Sequence, residues 1–520
     1  LRRTLPAKPI GKRESLGGGR KSPSKGSFHG MNPEQDVTAQ MKCEYLVIGS
    51  GAGGSVVARE LARAGKEVLI AEEGNYFKTE DFNDSTANQL MKLYRSGGVT
   101  PIIGKPIVGF AEGACVGGST VINAGYFSRT PQRILDHWNK DLNIRSYTME
   151  DLIPHFENVE RDLSVSIKKD DGSNKDSAAM EEGCRKLGWR IEPAPRVIKN
   201  CSNQNHCPTG CPTEAKRSML ITYLPQAFEA GAKIIPNLRV TKIVKDKNRI
   251  RCVKARVKAS GEEVTIHPDF VFLAGGAVQT PYLLKKSGVS KTAGGQPQFH
   301  MNFKVVAKFD HVVDAENSTV SLNFMREFED EGTLVSPANF RMPFVLSTLA
   351  HHDNSLLKQV FAESNRYGLF VTQMQSKSMA RVHATFGSPF MTYKFHKDDL
   401  RSLRLNMVRT GKLLFASGCK EILFPIQGMG PVSALDEVEL AADKLKPKDI
   451  ELVTVHAMSS CPMGHKDRGS VVDENGKVYG YDNLFVCDAS ILPTNIGESP
   501  QATIMAFSHE IVDRHVNSRK

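Results

Sequence analysis

Tyr45-Leu46-Val47-Ile48-Gly49-Ser50-Gly51-Ala52-Gly53-Gly54 is the stretch that sets how the chain begins to fold. Four apolar residues in a row suit a short strand buried on both faces, as in a parallel sheet. They run straight into the glycines. Val56 to Ala64 then reads as a helix ended by Gly65, and Glu67-Val68-Leu69-Ile70-Ala71 as the next strand. Such a βαβ unit of about 30 residues separates a dinucleotide-binding fingerprint from a chance glycine cluster. Gly49 allows the tight turn, Gly51 lets backbone approach a pyrophosphate, and Gly54 lets helix and strand pack closely. The helix N-terminus offers unpaired N–H groups and the positive end of a dipole. Glu72 ends the second strand 23 residues after Gly49, where an acid can bind a ribose 2′-OH.

Further pieces of the same kind lie far along the chain. A second glycine-rich stretch, Gly113-Ala114-Cys115-Val116-Gly117-Gly118-Ser119-Thr120-Val121-Ile122-Asn123-Ala124-Gly125, has neither helical nor strand periodicity. Phe270-Val271-Phe272-Leu273-Ala274 leads into Gly275-Gly276-Ala277 and Thr280-Pro281. Leu484-Phe485-Val486-Cys487-Asp488 leads into Ala489-Ser490, then Gly497-Glu498-Ser499-Pro500-Gln501-Ala502-Thr503 and a final amphipathic helix. One nucleotide-binding fold is therefore expected from dispersed segments. The stretch from about 301 to 449 is inserted and carries alternating strand-like segments such as Ala380 to Thr392.

Composition limits the classes that remain. A chain of 520 residues is expected to form two or three domains, and 40% hydrophobic with 24% charged residues is ordinary for a soluble globular protein. No apolar run approaches the ~18 residues of a membrane-spanning helix. Ten cysteines without regular spacing favour a reducing compartment, and no secretory signal follows Arg2 and Arg3, so the cytoplasm is the expected location. Residues 1–40 hold eight Lys or Arg against three acids, so +5 of the net +11 sits there and +6 on the rest. Rich in Gly, Ser and Lys, this segment reads as a disordered leader, with Leu1 ahead of Met31 and Met41 suggesting upstream sequence read in frame. Basic residues without interleaved aromatics read as solvated, so no nucleic-acid partner is expected.

Taken together, the blocks resemble the glucose–methanol–choline (GMC) flavoenzymes. That family joins a strand–GxGxxG–helix–strand–Glu opening, a glycine-rich loop ending in Asn, and an Ala-Gly-Gly-Ala…Thr-Pro block. It closes with a His-containing Met-Gly motif and an Asp-x-Ser…Pro…Thr block. All five occur here in order over residues 44 to 515. Cys211-Pro212-Thr213-Glu214-Ala215-Lys216-Arg217-Ser218, Thr222-Tyr223-Leu224-Pro225 and Val472-Asp473…Asn483-Leu484-Phe485-Val486 look most like the long-chain alcohol oxidase branch.

The resemblance implies an α/β chain: a Rossmann-like FAD-binding domain over 41–300 and 450–520, and an inserted substrate region over 301–449 with a mostly antiparallel sheet. It implies that Gly49, Gly51, Gly54 and Glu72 hold the ADP half of FAD, with the Val240 backbone facing the adenine. Ala274 and Gly275 join the cofactor set. Gly117, Gly118, Ser119 and Asn123 would line the flavin and pyrophosphate path. Asp488 and Ala489 would meet the ribityl and pyrophosphate region, and Pro500, Gln501 and Thr503 would border the isoalloxazine. Relatives that attach flavin covalently carry a His just before the loop Asn. Ile122 stands there, which implies non-covalent FAD.

His456, in His456-Ala457-Met458-Ser459-Ser460-Cys461-Pro462-Met463-Gly464, matches the family's active-site histidine. Oxidising a carbinol needs the hydroxyl proton to leave, and imidazole titrates near neutral pH. A lone histidine is more often structural; the motif singles this one out among fifteen. The family's second His or Asn is replaced by Ser499, either a substrate hydrogen-bonding group or a cap for the loop backbone. Cys201, Cys207 and Cys211 have spacing that suits an iron–sulfur cluster or zinc, yet a fourth ligand is missing. Structural thiols are the default there, and no metal is expected. The function implied is FAD-dependent oxidation of an alcohol CH–OH to aldehyde or ketone; the alternatives are an FAD-containing hydroxynitrile lyase and a non-redox flavin-binding protein. The residues leave the alcohol open, and the electron acceptor as oxygen, a quinone or a cytochrome.

Overall fold

A computed structural model describes residues 37–83, 85–98, 100–385 and 387–519. The leader expected over 1–40 lies, up to residue 36, outside them. The first strand, Gln40–Ile48, carries Tyr45 to Ile48 fully buried, as a strand covered on both faces requires. It turns through Gly49 into the helix Ala52–Arg63 and returns as the strand Val68–Ala71.

Seven strands make the first sheet, in the order Lys233–Ile235, Val68–Ala71, Gln40–Ile48, Glu263–Leu273, Arg249–Val257 and Leu238–Asp246. The short strand Leu484–Val486 pairs with the end of Glu263–Leu273. Register aligns Ile48 with Ala71 and with Leu273, and Leu273 with Val486, all parallel. Strands from distant parts of the chain thus end at one level. Gly49, Glu72, Ala274 and Cys487 follow at that edge, the place where open parallel sheets bind ligands. The last helix, Gln501–Asn517, is mostly buried and packs on the first helix.

The second sheet has eleven strands and is mostly antiparallel. Its long members are Gln298–Phe309 and Tyr367–His383, paired antiparallel from Gln298 with Met379 to Lys308 with Tyr367. It does not come from 301–449 alone. Thr100–Ile103, Val108–Phe110, Ile191–Pro193 and Leu452–Thr454 also join it, the last two-residue extension being Ala457–Met458. These strands are too short for alternation to reveal in sequence. Along Gln298–Phe309, Phe299, Met301, Phe303 and Val305 enter an apolar core. The alternate positions His300, Asn302 and Lys304 therefore share the opposite face.

Two glycines in the opening turn meet backbone that no side chain could clear. Gly49 has φ +102°, and a Cβ there would stand 2.4 Å from the Ala274 carbonyl oxygen. A Cβ on Gly54 would stand 2.0 Å from the Gly49 carbonyl oxygen. Gly54→Ala should therefore force helix and strand apart, at a cost on the order of 1–3 kcal/mol. Urea unfolding of the holoprotein would show it; an unchanged midpoint would mean that the turn relaxes freely.

Candidate active site

A cavity of about 720 Å³ opens beyond the level strand ends and continues to the face of the second sheet. Its floor is the turn Gly49 to Gly53, with the first helix starting at Ala52 and no side chain capping that N-terminus. A Cβ built on Gly51 would meet nothing within 4 Å, so the open space reaches the backbone itself. Exposed N–H groups at a helix N-terminus, in a glycine turn, suit a pyrophosphate.

Buried carboxylates fasten the loops around this floor. Glu72 Oε2 accepts from the Ser50 N–H at 2.9 Å and the Ser50 hydroxyl at 2.7 Å, and Oε1 accepts from the Gly74 N–H at 2.8 Å. Burial raises the Glu72 pKa against those donors. Ser50 Oγ also accepts from the Gly117 N–H at 3.0 Å, which ties in the second glycine loop. Asp488 accepts from the N–H groups of Gly276 and Ser490 and from the Thr280 hydroxyl, and burial raises its pKa as well. The Thr-Pro block following the mid-chain glycines thus serves to hold Asp488.

Lys216 was visible in sequence only as a letter within a motif. It is 2% exposed, and its ammonium donates to the carbonyls of Val121, Asn123 and Cys207 at 2.7, 2.8 and 2.5 Å. Burial lowers its pKa to about 8. Three donors meet three acceptors, and the loop ending in Asn123 is clamped to the cysteine segment. Among the described residues no group of three or more His, Cys, Asp or Glu is placed to hold a metal ion. Cys207 Sγ takes an Arg196 N–H and Cys211 Sγ the Lys216 N–H.

Most residues singled out in sequence line the cavity: Gly49, Gly51, Glu72, Gly118, Ser119, Asn123, Val240, Ala274, Gly275, Asp488, Ala489, Pro500, Gln501, His456 and Ser499. Three do not. Gly54 and Gly117 lie behind the wall as packing and loop positions. Thr503 is fully buried and its hydroxyl meets Thr130 at 2.8 Å, behind the cavity wall. Asn123 donates to Gln501 Oε1 at 2.6 Å, and its own Oδ1 accepts from the Gly125 N–H.

Ser499 makes no hydrogen bond among the described residues, and the last helix starts after Pro500 without a side-chain cap. Its hydroxyl is therefore available to the cavity. Its neighbour Glu498 is turned into an ion pair with Arg326. His456 stands in the cavity wall with its Nε2 unbonded, while its Nδ1 lies 3.0 Å from Nδ1 of His300. Burial lowers the His456 pKa to about 4 and, together with His456 and Arg133, holds His300 well below the usual histidine range. His300 carried no sequence signal, since it is one histidine in an alternating strand. The far wall is largely apolar, with Val320, Phe324, Leu334, Phe344, Val371 and Val453, broken by Asn302 and Lys304.

A dinucleotide floor joined to a histidine-bearing cavity under a second sheet defines a flavin-dependent oxidoreductase architecture, and comparison with known proteins agrees. The family profiles described as GMC oxidoreductase match residues 90–312 and 385–508, and an NAD(P)-binding Rossmann-like domain profile matches 47–96. An uncharacterized GMC-type oxidoreductase of Sinorhizobium fredii is 31% identical over 91% of this chain and 94% of its own length. Long-chain-alcohol oxidase FAO3 of Arabidopsis thaliana is 26% identical over 94% of this chain and 69% of its own. Among solved structures, pyridoxine 4-oxidase from Mesorbium loti superposes with a TM-score of 0.70 at 17% identity, covering 91% of this chain and 99% of that one. Formate oxidase gives 0.72 at 15%, covering 93% and 99%. The chain belongs to the GMC oxidoreductase family, and its cofactor is FAD. No helix among the described residues is long and apolar enough to cross a membrane.

Lys216→Met should leave three buried carbonyls without donors. The expected loss is roughly 2–4 kcal/mol in stability, with reduced FAD content because the Asn123 loop is released. Urea unfolding and the flavin-to-protein absorbance ratio measure the two effects; a variant with full flavin and an unchanged midpoint would refute the clamp.

Proposed function

We propose that the protein is an FAD-dependent oxidoreductase that takes hydride from the CH–OH group of an alcohol and yields an aldehyde or ketone, with His456 as the acid/base at the carbinol oxygen. The carrying observation is the unbonded Nε2 of His456 in a wall shared with the free hydroxyl of Ser499. The alcohol oxidases among the relatives support the same chemistry.

The turn Gly49 to Gly51 and the first helix N-terminus bind the pyrophosphate; Glu72 and the Val240 backbone line the adenosine end. Gly118, Ser119, Asn123, Asp488 and Ala489 bound the flavin path, and Pro500 with Gln501 its ring end. FAD supplies the hydride acceptor. His456 and Ser499 orient the carbinol oxygen by hydrogen bonds, and the apolar far wall excludes water from the substrate's carbon body. That wall favours a fatty or aromatic alcohol.

Ile122, 7% exposed, stands where a histidine would be needed for attachment. Acid precipitation should therefore release intact FAD into the supernatant, and flavin that stays with the chain would contradict non-covalent binding.

His456→Ala should keep FAD and slow flavin reduction by the best alcohol ~10²–10⁴-fold. Ser499→Ala should cost about one neutral hydrogen bond, ~0.5–1.5 kcal/mol. Stopped-flow bleaching under anaerobic conditions reads both. A His456→Ala variant as fast as the parent would sink the reading, and turnover without any bleaching would favour lyase chemistry.

A further inference from the structure

We propose that His300 is a positioning residue that fixes the tautomer of His456, so that His456 meets the carbinol oxygen as an Nε2–H donor and not as a free base. The proposal rests on the alcohol reading only for the identity of that oxygen. The tautomer itself follows from hydrogen bonds inside the protein.

The chain of reasoning starts at Gly497. Its backbone N–H can only donate, and it points at His300 Nε2 from 3.0 Å. His300 Nε2 is therefore an acceptor. A neutral imidazole carries one proton, so that of His300 sits on Nδ1. Nδ1 of His300 lies 3.0 Å from Nδ1 of His456, so His300 donates and His456 accepts. The proton of His456 must then be on Nε2, the edge that faces the cavity.

The arrangement leaves little freedom. The two rings are perpendicular, at 89° with centroids 5.1 Å apart, and His300 is 0% exposed. The backbone adds a tie, the His300 N–H donating to the His456 carbonyl. Protonating His456 on Nδ1 would set two N–H groups head to head. His300 could not yield by shifting its proton, because Gly497 occupies its other nitrogen.

The charged groups around the pair do not reverse this. Arg133 acts on His300 from the helix Gln132–Lys140 and opposes positive charge there. Glu498, next to Gly497, is paired with Arg326. Lys304, further along its strand, and Glu451, just ahead of Leu452–Thr454, are of opposite sign.

This narrows the acid/base role proposed above to its donor side: His456 does not take up the hydroxyl proton. The carbinol C–H bond breaks and its hydrogen leaves with the electron pair as hydride to the flavin. The O–H bond breaks and its proton passes to a solvent water, the acceptor this step requires, while carbon and oxygen form their second bond. His456 keeps its own proton and donates to the oxygen as negative charge gathers there, as an oxyanion donor does.

Magic-angle-spinning NMR of the holoprotein carrying [¹⁵N]histidine tests the tautomer without any substrate, with His456→Gln identifying the signal. The parent should show His456 protonated on Nε2 and bare on Nδ1 from about pH 5 to 8. His300→Asn, which can still donate at the same point, should keep that spectrum. His300→Leu should lose the preference and leave His456 as a mixture of the Nδ1–H and Nε2–H tautomers. His300→Asp, an acceptor, should move the proton to Nδ1 and slow flavin reduction ~10²–10³-fold. A parent His456 protonated on Nδ1 overturns the proposal, as do Leu and Asn variants alike in spectrum. Failure of every alcohol to bleach the flavin would remove the alcohol reading and leave the NMR result standing.

Discussion

The carboxylate of Glu72 takes three hydrogen bonds, from the Ser50 N–H, the Ser50 hydroxyl and the Gly74 N–H, and much of the cavity depends on them. A buried acid that costs so much to desolvate persists only when donors surround it. Ser50 is the second half of the knot, because its oxygen also receives the Gly117 N–H. The backbone of Glu72 adds a third link: its N–H donates to Ile235, and its carbonyl accepts from Leu238. One side chain and its peptide thus fix the first turn, the second glycine loop and the start of the strand Leu238–Asp246. That geometry is held by hydrogen bonds within the protein itself.

The same device recurs at the other edges. Asp488 gathers Gly276, Thr280 and Ser490, and Lys216 gathers three carbonyls. Each charge sits where glycine-rich backbone has no side chains to pack. Glycine loops gain close approach to a ligand at the expense of conformational entropy, and buried multi-dentate charges restore order without filling the space. Local stability is therefore concentrated in a few polar hubs around an open cavity, while the apolar cores stand behind it.

What was legible in the sequence follows from this division. The βαβ opening could be read because continuous apolar strands and glycine spacing are local patterns. Glu72, Asn123, His456 and Ser499 could be placed because they sit in ordered blocks. Thr503, two residues after Gln501 and one before Ile504, turns its side chain inward to Thr130, which the block pattern does not reveal. The strands Thr100–Ile103 and Ile191–Pro193 could not be found from alternation over three or four residues. His300 and Lys216 could not be read at all. Their roles come from contacts 156 and 95 residues away in the chain, and no local pattern encodes those.

His300 also explains how a histidine in a dry wall can stay electrically quiet. A cation at His456 would be poorly solvated, and its ring has no carboxylate partner to offset the charge. The wall instead offers a neutral partner whose own proton is committed by a backbone N–H. Neutral imidazole is a weaker acid than imidazolium, but its hydrogen bond strengthens as the oxygen it touches gains charge. A donor of that kind discriminates between the bound alcohol and the developing alkoxide, which is the difference that accelerates hydride loss. Ser499, with a short unbonded hydroxyl in place of a longer amide or imidazole, leaves room beside that oxygen. On the second sheet, Asn302 and Lys304 carry the polar edge away from His456, set beside the apolar Val453 and Val371 that pair with them.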